Sequence, residues 1–160
     1  MKMNKGHVIE HIKFALDTKL AEAKQAADSA HQDATHEQSA AETQYDSLSI
    51  ESGYLAHGQS ERVNEIHKSI ALFTHSFSQD AKKQAKEGSL VQLIDIDDKT
   101  HWFYLGPSEG GLKVTVQQHA ILVITHGSPV GQALFNKEVD DEVVLTVGDR
   151  TQHFDVVAIL

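Results

Sequence analysis

The sequence predicts an α+β chain: a long antiparallel α-helical coiled-coil hairpin over residues 1–87, then an antiparallel β domain with one short helix over 88–160. Three observations predict it. Large apolar side chains are sparse between Gln25 and Glu61 and dense from Gly88 to Leu160, so one compact core through the whole chain is excluded. Proline is absent before Pro107 and glycine is sparse before Gly88, which permits long helices. Two apolar stripes at helical spacing change from large to small residues in opposite directions along the chain.

The first stripe is Ile9, Ile12, Leu16, Leu20, Ala23, Ala27, Ala30, Ala34 and Ala41, in steps of three and four with one gap at Glu37. The second is Leu48, Ser52, Leu55, Gln59, Val63, Ile66, Ile70, Phe73 and Phe77. Folding the chain back on itself sets Ile12 near Phe77, Leu16 near Phe73, Ala23 near Ile66 and Ala30 near Gln59. The turn then falls near Thr43 to Tyr45, with a slender tip over residues 42–47. Two helices of this length would project about 50 Å at 1.5 Å per residue. A stem that dimerises through residues 9–77 is the competing reading of the same stripes, although the polar distal part would bury little apolar area in a dimer. Gly53 and Gly58 fall inside the second helix, where close packing, bending or sequence drift would each account for them.

Lysines followed by Gly88 place the end of the second helix near Ala85 to Gly88. Strands are expected at Leu90–Ile96, Thr100–Leu105, Leu112–Val116, Ala120–Thr125, Glu142–Val147 and His153–Ile159, separated by turn signals such as Asp97-Asp98 and Gly148-Asp149-Arg150. Ser128-Pro129 marks a helix start, because serine caps free amides and proline suits the first helical position.

The formal charge of −9 argues against free duplex-DNA binding, which needs clustered Lys and Arg. Seven acids lie between Gln25 and Glu61 with no Lys or Arg among them, a stretch that attracts cations or a basic protein surface. With no cysteine there is no disulfide framework, thiolate metal site or thiol nucleophile. No apolar run approaches the ~20 residues that span a bilayer, and the N-terminus has no signal-peptide core, so a cytoplasmic protein without membrane contact is expected. His7 and His11 have the spacing of two imidazoles on one helix face, but no third ligand accompanies them. Trp102, Phe103 and Tyr104 alternate along a strand, so one or two of them should fill the core rather than line an isomerase pocket.

The segment from Gly127 to Val143 resembles the C-terminal signature of the GreA/GreB family. Ser128, Pro129, Ala133, Leu134, Lys137, Val139, Asp141 and Val143 match it, while Asp140 stands where the family usually has glycine. Gly88-Ser89-Leu90-Val91 and Phe154-Asp155-Val156-Val157 extend the likeness over the second half. The resemblance implies an FKBP-like domain without isomerase activity, carried behind a coiled-coil hairpin. It also implies a partner, bacterial RNA polymerase, docked near Ser128, Pro129, Gln132 and Lys137 with the hairpin entering the secondary channel. Such a factor would be a monomer and no enzyme by itself. It would need no cofactor of its own, and its tip acids, Glu42, Asp46 and Glu51, would act beside polymerase magnesium, Glu42 and Asp46 sharing the ion within the complex. Contact with nascent RNA would be indirect. The family's Asp-x-x-Glu-Asn-Ala-acid-Tyr tip motif and its basic RNA-holding patch are absent. A divergent paralogue that stimulates transcript cleavage, one that occupies the channel without cleavage, and a non-catalytic coiled-coil module therefore all remain open.

Overall fold

The computed structural model describes the backbone of residues 2–40 and 47–160 and the side chains of 2–32 and 56–160. It contains α1 (Lys5–Ala40), α2 (Ser47–Phe77), β1 (Leu90–Asp95), β2 (Thr100–Leu105), β3 (Lys113–Val116), β4 (His119–Ile124), α3 (Pro129–Leu134), β5 (Glu142–Val147) and β6 (Arg150–Ile159). The chain divides into two compact units, one formed by Met1–Lys13 with Ala71–Leu160 and the other by Phe14–Ile70.

The Phe14–Ile70 unit is the two-helix stem. Leu16, Ala23 and Ala30 are buried at seven-residue intervals on α1, and Leu20 and Ala27 are half-buried between them. Within this unit, Ala56 and Ile66 are the buried residues on the described part of α2, with Gln59, Val63 and Ile70 half-buried beside them. Lys24, Ala27 and Asp28 share a cleft with Ser60, Val63 and Asn64, which is the antiparallel register that the two opposed stripes require. A Cβ at Gly58 would meet nothing within 4 Å, so close helix packing is not the reason for that glycine.

In the other unit, Asn4 caps α1: its side-chain oxygen accepts from the His7 amide at 3.3 Å. Val8 and Ile12 are fully buried on α1, and Phe73 and Ser76 on α2. Val8 belongs to the buried face although the stripe runs through Ile9, which is only half-buried.

The second helix ends at Phe77, well before the lysines and Gly88. Two forces end it. The Ser76 and Ser78 hydroxyls donate to the Phe73 and His75 carbonyls, at 2.8 and 2.7 Å, and compete for the acceptors of the last turn. Beyond them, Ala85 is completely buried in the sheet core. Its amide donates to the Lys137 carbonyl at 2.8 Å and its carbonyl accepts from the Asn136 amide at 2.9 Å, and a helical backbone could offer neither bond.

The six strands form one sheet in the order β3-β4-β2-β1-β6-β5. Every pairing is antiparallel except β2 with β4, which run parallel from Trp102↔Ile121 to Leu105↔Ile124. The parallel pair arises because β3 turns back onto β4 and is left outermost. Gln117 and Gln118, both at positive φ (52° and 68°), make that tight turn. One face of the sheet packs Val91, Leu93, Leu105, Phe154 and Val156 with Leu134 of α3. On the alternate positions of β2, Trp102 and Tyr104 are buried while Phe103 is half-buried, so two of the three consecutive aromatics fill the core.

Tyr104 meets the end of α2. Its ring centroid lies 6.3 Å from Phe73 and 5.9 Å from Phe77, and its hydroxyl is 2.9 Å from Ser76 Oγ. Burial pushes the phenol pKa up to about 12, with the hydrogen bond between Tyr104 and Ser76 acting in the opposite, smaller direction. Two glycines allow this approach. A Cβ at Gly106 would lie 2.9 Å from the Phe73 ring, and one at Gly88 (φ +93°) would lie 2.6 Å from the Ser76 carbonyl oxygen.

Because folding favours the neutral phenol, Tyr104 contributes its full stability below the ordinary tyrosine pKa of about 10 and loses it as pH rises toward 12. Tyr104→Phe should cost about 1 kcal/mol at pH 7 by urea denaturation. It should also flatten the stability decline of the parent protein between pH 10 and 12; an unchanged decline would contradict the burial described for this hydroxyl.

Candidate functional site

The residues around α3 form a self-supporting turn that leaves a few side chains free. Ser128 sits at the helix N-cap. Its hydroxyl donates to the Thr125 carbonyl at 2.8 Å and accepts from the Gly131 amide at 3.0 Å. Pro129 occupies the first helical turn, where its missing N–H costs nothing. Gly131 is buried against the preceding strand end: a Cβ there would fall 1.8 Å from the Thr125 carbonyl oxygen, so no other residue fits this backbone. Leu134 is fully buried in the sheet core and anchors the helix. Phe135 stacks on His126, ring centroids 4.2 Å apart and nearly coplanar at 11°.

Two residues in left-handed conformation carry the chain from α3 into β5. Asn136 (φ 69°) donates its amide to the Ala85 carbonyl, and Asp140 (φ 75°) donates to the Val156 carbonyl at 2.8 Å. Asp140 stands at the position where the resemblance places glycine, and the positive φ explains that preference. Asp141 closes the turn, its carboxylate accepting from the Glu138 amide at 2.7 Å. Most of the signature is therefore needed to build this turn.

The four residues expected at the docking surface divide accordingly. The Ser128 hydroxyl is engaged internally. Pro129 and Gln132 are exposed, three positions apart on the helix. Lys137 is half-buried, and its carbonyl holds Ala85. Around them lie Val139, 46% exposed, a Lys86 ammonium bonded to the Asn136 side chain, and a Lys83–Glu138 ion pair at 3.5 Å. The ion pair is solvated and adds little stability. Sequence patterning did not single out Gly131 or Asn136. The tolerance of Asn and Asp for left-handed backbone was the available signal for Asn136 and Asp140.

The tip acids fall elsewhere. Glu42 and Asp46 lie outside the described residues. Glu51 belongs to α2, but its side chain is outside them too. Among the described residues no group of three or more His, Cys, Asp or Glu side chains could hold a metal. His11 Nδ1 is bonded to the His7 carbonyl at 2.7 Å, so the pair makes a local helix contact. No helix among the described residues is long and apolar enough to cross a membrane.

A cavity of about 300 Å³ lies at the far end of β1 and β2, lined by Asp95, His101, Phe103, Leu145, His153 and Phe154 among others. Asp95 accepts from the Asp97 and Lys99 amides and bonds His101 Nε2 at 2.9 Å. The His101 bond, then the Lys99 amide, hold its carboxyl below the usual range. Both oxygens of Asp95 thus fix the β1–β2 hairpin turn.

Residues 80–160 match the family model described as transcription elongation factor, GreA/GreB, C-term. The chain is 28% identical over 101 residues to transcription elongation factor GreA of Thermodesulfovibrio yellowstonii, a match that covers 61% of this chain and 60% of that protein. The chain thus spans less than two thirds of the length of that relative. Among solved structures, GreA factor homolog 1 (Gfh1) of Thermus thermophilus aligns at 19% identity with a TM-score of 0.38, covering 92% of this chain and 94% of the other. Gfh1 of Thermus aquaticus aligns at 19% identity with a TM-score of 0.39, covering 91% of each.

Gly131→Ala should lower stability by about 3 kcal/mol, the scale of an overpacked core. Ser128→Ala should cost about 1 kcal/mol, the loss of one N-cap. Equal effects in chemical denaturation would show that the close approach at Gly131 is relieved elsewhere.

Proposed function

The chain belongs to the GreA/GreB family of transcription elongation factors, and from that premise we propose that it binds RNA polymerase in the cytoplasm and regulates elongation through the secondary channel. The observation that carries the proposal is the α3 turn. Its internal groups are all engaged in holding its shape, and Pro129 and Gln132 remain exposed on a rigid support. A surface held by a cap, a buried leucine and two turn hydrogen bonds meets a partner with little ordering left to do.

The stem would enter the channel with its polar, acidic end leading. Glu42, Asp46 and Glu51 are the carboxylates proposed to act near polymerase magnesium, an ion that prefers oxygen ligands and retains several waters. The stretch from Gln25 to Glu61 bears seven acids and no Lys or Arg, which supports this placement of negative charge. Any cleavage chemistry would be that of the polymerase. The small and polar stem residues also favour a monomer over a dimeric coiled coil.

Purified chain should be retained by immobilised core RNA polymerase, and Pro129→Ala with Gln132→Ala should weaken retention at least about tenfold without loss of thermal stability. No binding to core or holoenzyme would remove the proposal. In stalled elongation complexes, release of short 3′ RNA that disappears with Glu42→Ala and Asp46→Ala would identify a cleavage factor. Polymerase binding without release would identify a channel modulator.

A further inference from the structure

The sheet has two free edges, and they are not alike. β3 is four residues long and begins with Lys113, both features that discourage strand addition. β5 runs six residues, Glu142-Val143-Val144-Leu145-Thr146-Val147, without lysine, proline or a bulge in its pairing to β6. Val144 and Val147 are 49% and 59% exposed.

The hairpin geometry shows which backbone groups face outward. Val147 pairs with Arg150 across the two-residue turn Gly148-Asp149, so that pair exchanges hydrogen bonds. Alternation makes Leu145↔Gln152 and Val143↔Phe154 the next bonded pairs, and the Val156 amide continues the ladder to the Asp141 carbonyl. The N–H and C=O groups of Val144 and Thr146 therefore point away from β6. Among the described residues no backbone group accepts from or donates to them.

The charge around this edge is one-sided. From Glu138 to Asp155 the chain carries Glu138, Asp140, Asp141, Glu142, Asp149 and Asp155 against the single cation Arg150, histidines taken as neutral. Glu142 is bonded to His153 and Glu138 to Lys83, while the other four acids have no cationic partner of that kind among the described residues. A second copy of this chain pairing β5 with β5 would bring like charges together, whereas a strand bearing lysine or arginine would be drawn in.

We propose that the β5 edge is a docking site for an extended, basic segment of a partner protein, which adds to the sheet as a seventh strand. Backbone hydrogen bonds to Val144 and Thr146 hold the segment, and its cations meet the acids at the Glu142 end of the strand. Although α3 packs against β5, Pro129 and Gln132 supply none of the edge's backbone groups, and the proposal stands whether or not the chain engages polymerase.

The test uses the full chain, isotopically labelled, titrated with a capped peptide of alternating lysine and valine. Binding should slow amide exchange at Val144 and Thr146 at least about tenfold at saturation, weaken with added salt, and fail for the matching glutamate–valine peptide. N-methylating the peptide amides that face the edge should weaken binding at least about tenfold, as should Thr146→Pro, which removes an outward N–H from an edge strand along with the exposed Thr146–Thr151 hydroxyl contact. The peptide arm decides the matter if the proline variant fails to fold. Equal binding of the glutamate peptide, indifference to N-methylation, or protection at other strands would overturn the proposal. Self-association of the free chain that Thr146→Pro abolishes would overturn it in favour of a second copy.

Discussion

The joint between the end of α2 and strand β2 is made by three aromatic rings and one buried hydrogen bond, and the packing of the sheet-bearing unit depends on it. Phe73, Phe77 and Tyr104 lie within 6.3 Å of one another, and Ser76 and Tyr104 satisfy each other's hydroxyls where water cannot reach. The arrangement tolerates no extra atom at Gly88 or Gly106. The basal segments Met1–Lys13 and Ala71–Phe77 therefore belong to the same compact unit as the sheet. Ile12, Phe73 and Phe77, among the large apolar residues of the two stripes, lie in this sheet-bearing unit.

The α3 turn applies the same economy to the surface. Residues that a sequence signature would nominate for binding are here mostly needed for shape. Ser128 caps, Gly131 permits the approach to Thr125, Asp141 closes the following turn and Leu134 anchors. The side chains left exposed on this turn, Pro129 and Gln132 first, are those proposed above for contact with polymerase. Ser128→Ala would consequently disturb any partner through the geometry of its neighbours.

Much of this was legible in the sequence because period-specific patterning is a local signal. Residue spacing alone located both helices, all six strands to within a few residues, and the Ser128 cap. The end of α2 was not legible: lysines and Gly88 offered an ordinary helix stop, but the burial of Ala85 against Lys137 and Asn136 is a long-range demand that overrides it. The parallel pairing of β2 with β4 was hidden for the same reason, since strand order depends on which hairpin is left outermost. At the candidate site, the cap was visible in Ser128-Pro129, whereas the crowding at Gly131 depends on a carbonyl six residues earlier in the chain. The acidity of the stretch from Gln25 to Glu61 was readable as charge alone.

Native-state hydrogen exchange tests the joint most directly. If the aromatic cluster makes the end of α2 part of the sheet unit, the amides of Phe73, Ser76 and Phe77 should open only with those of Leu90 to Leu93 and Trp102 to Leu105, sharing one opening free energy and one denaturant dependence. Exchange of the α2 amides through a local, denaturant-insensitive opening, while the strands stay protected, would contradict it.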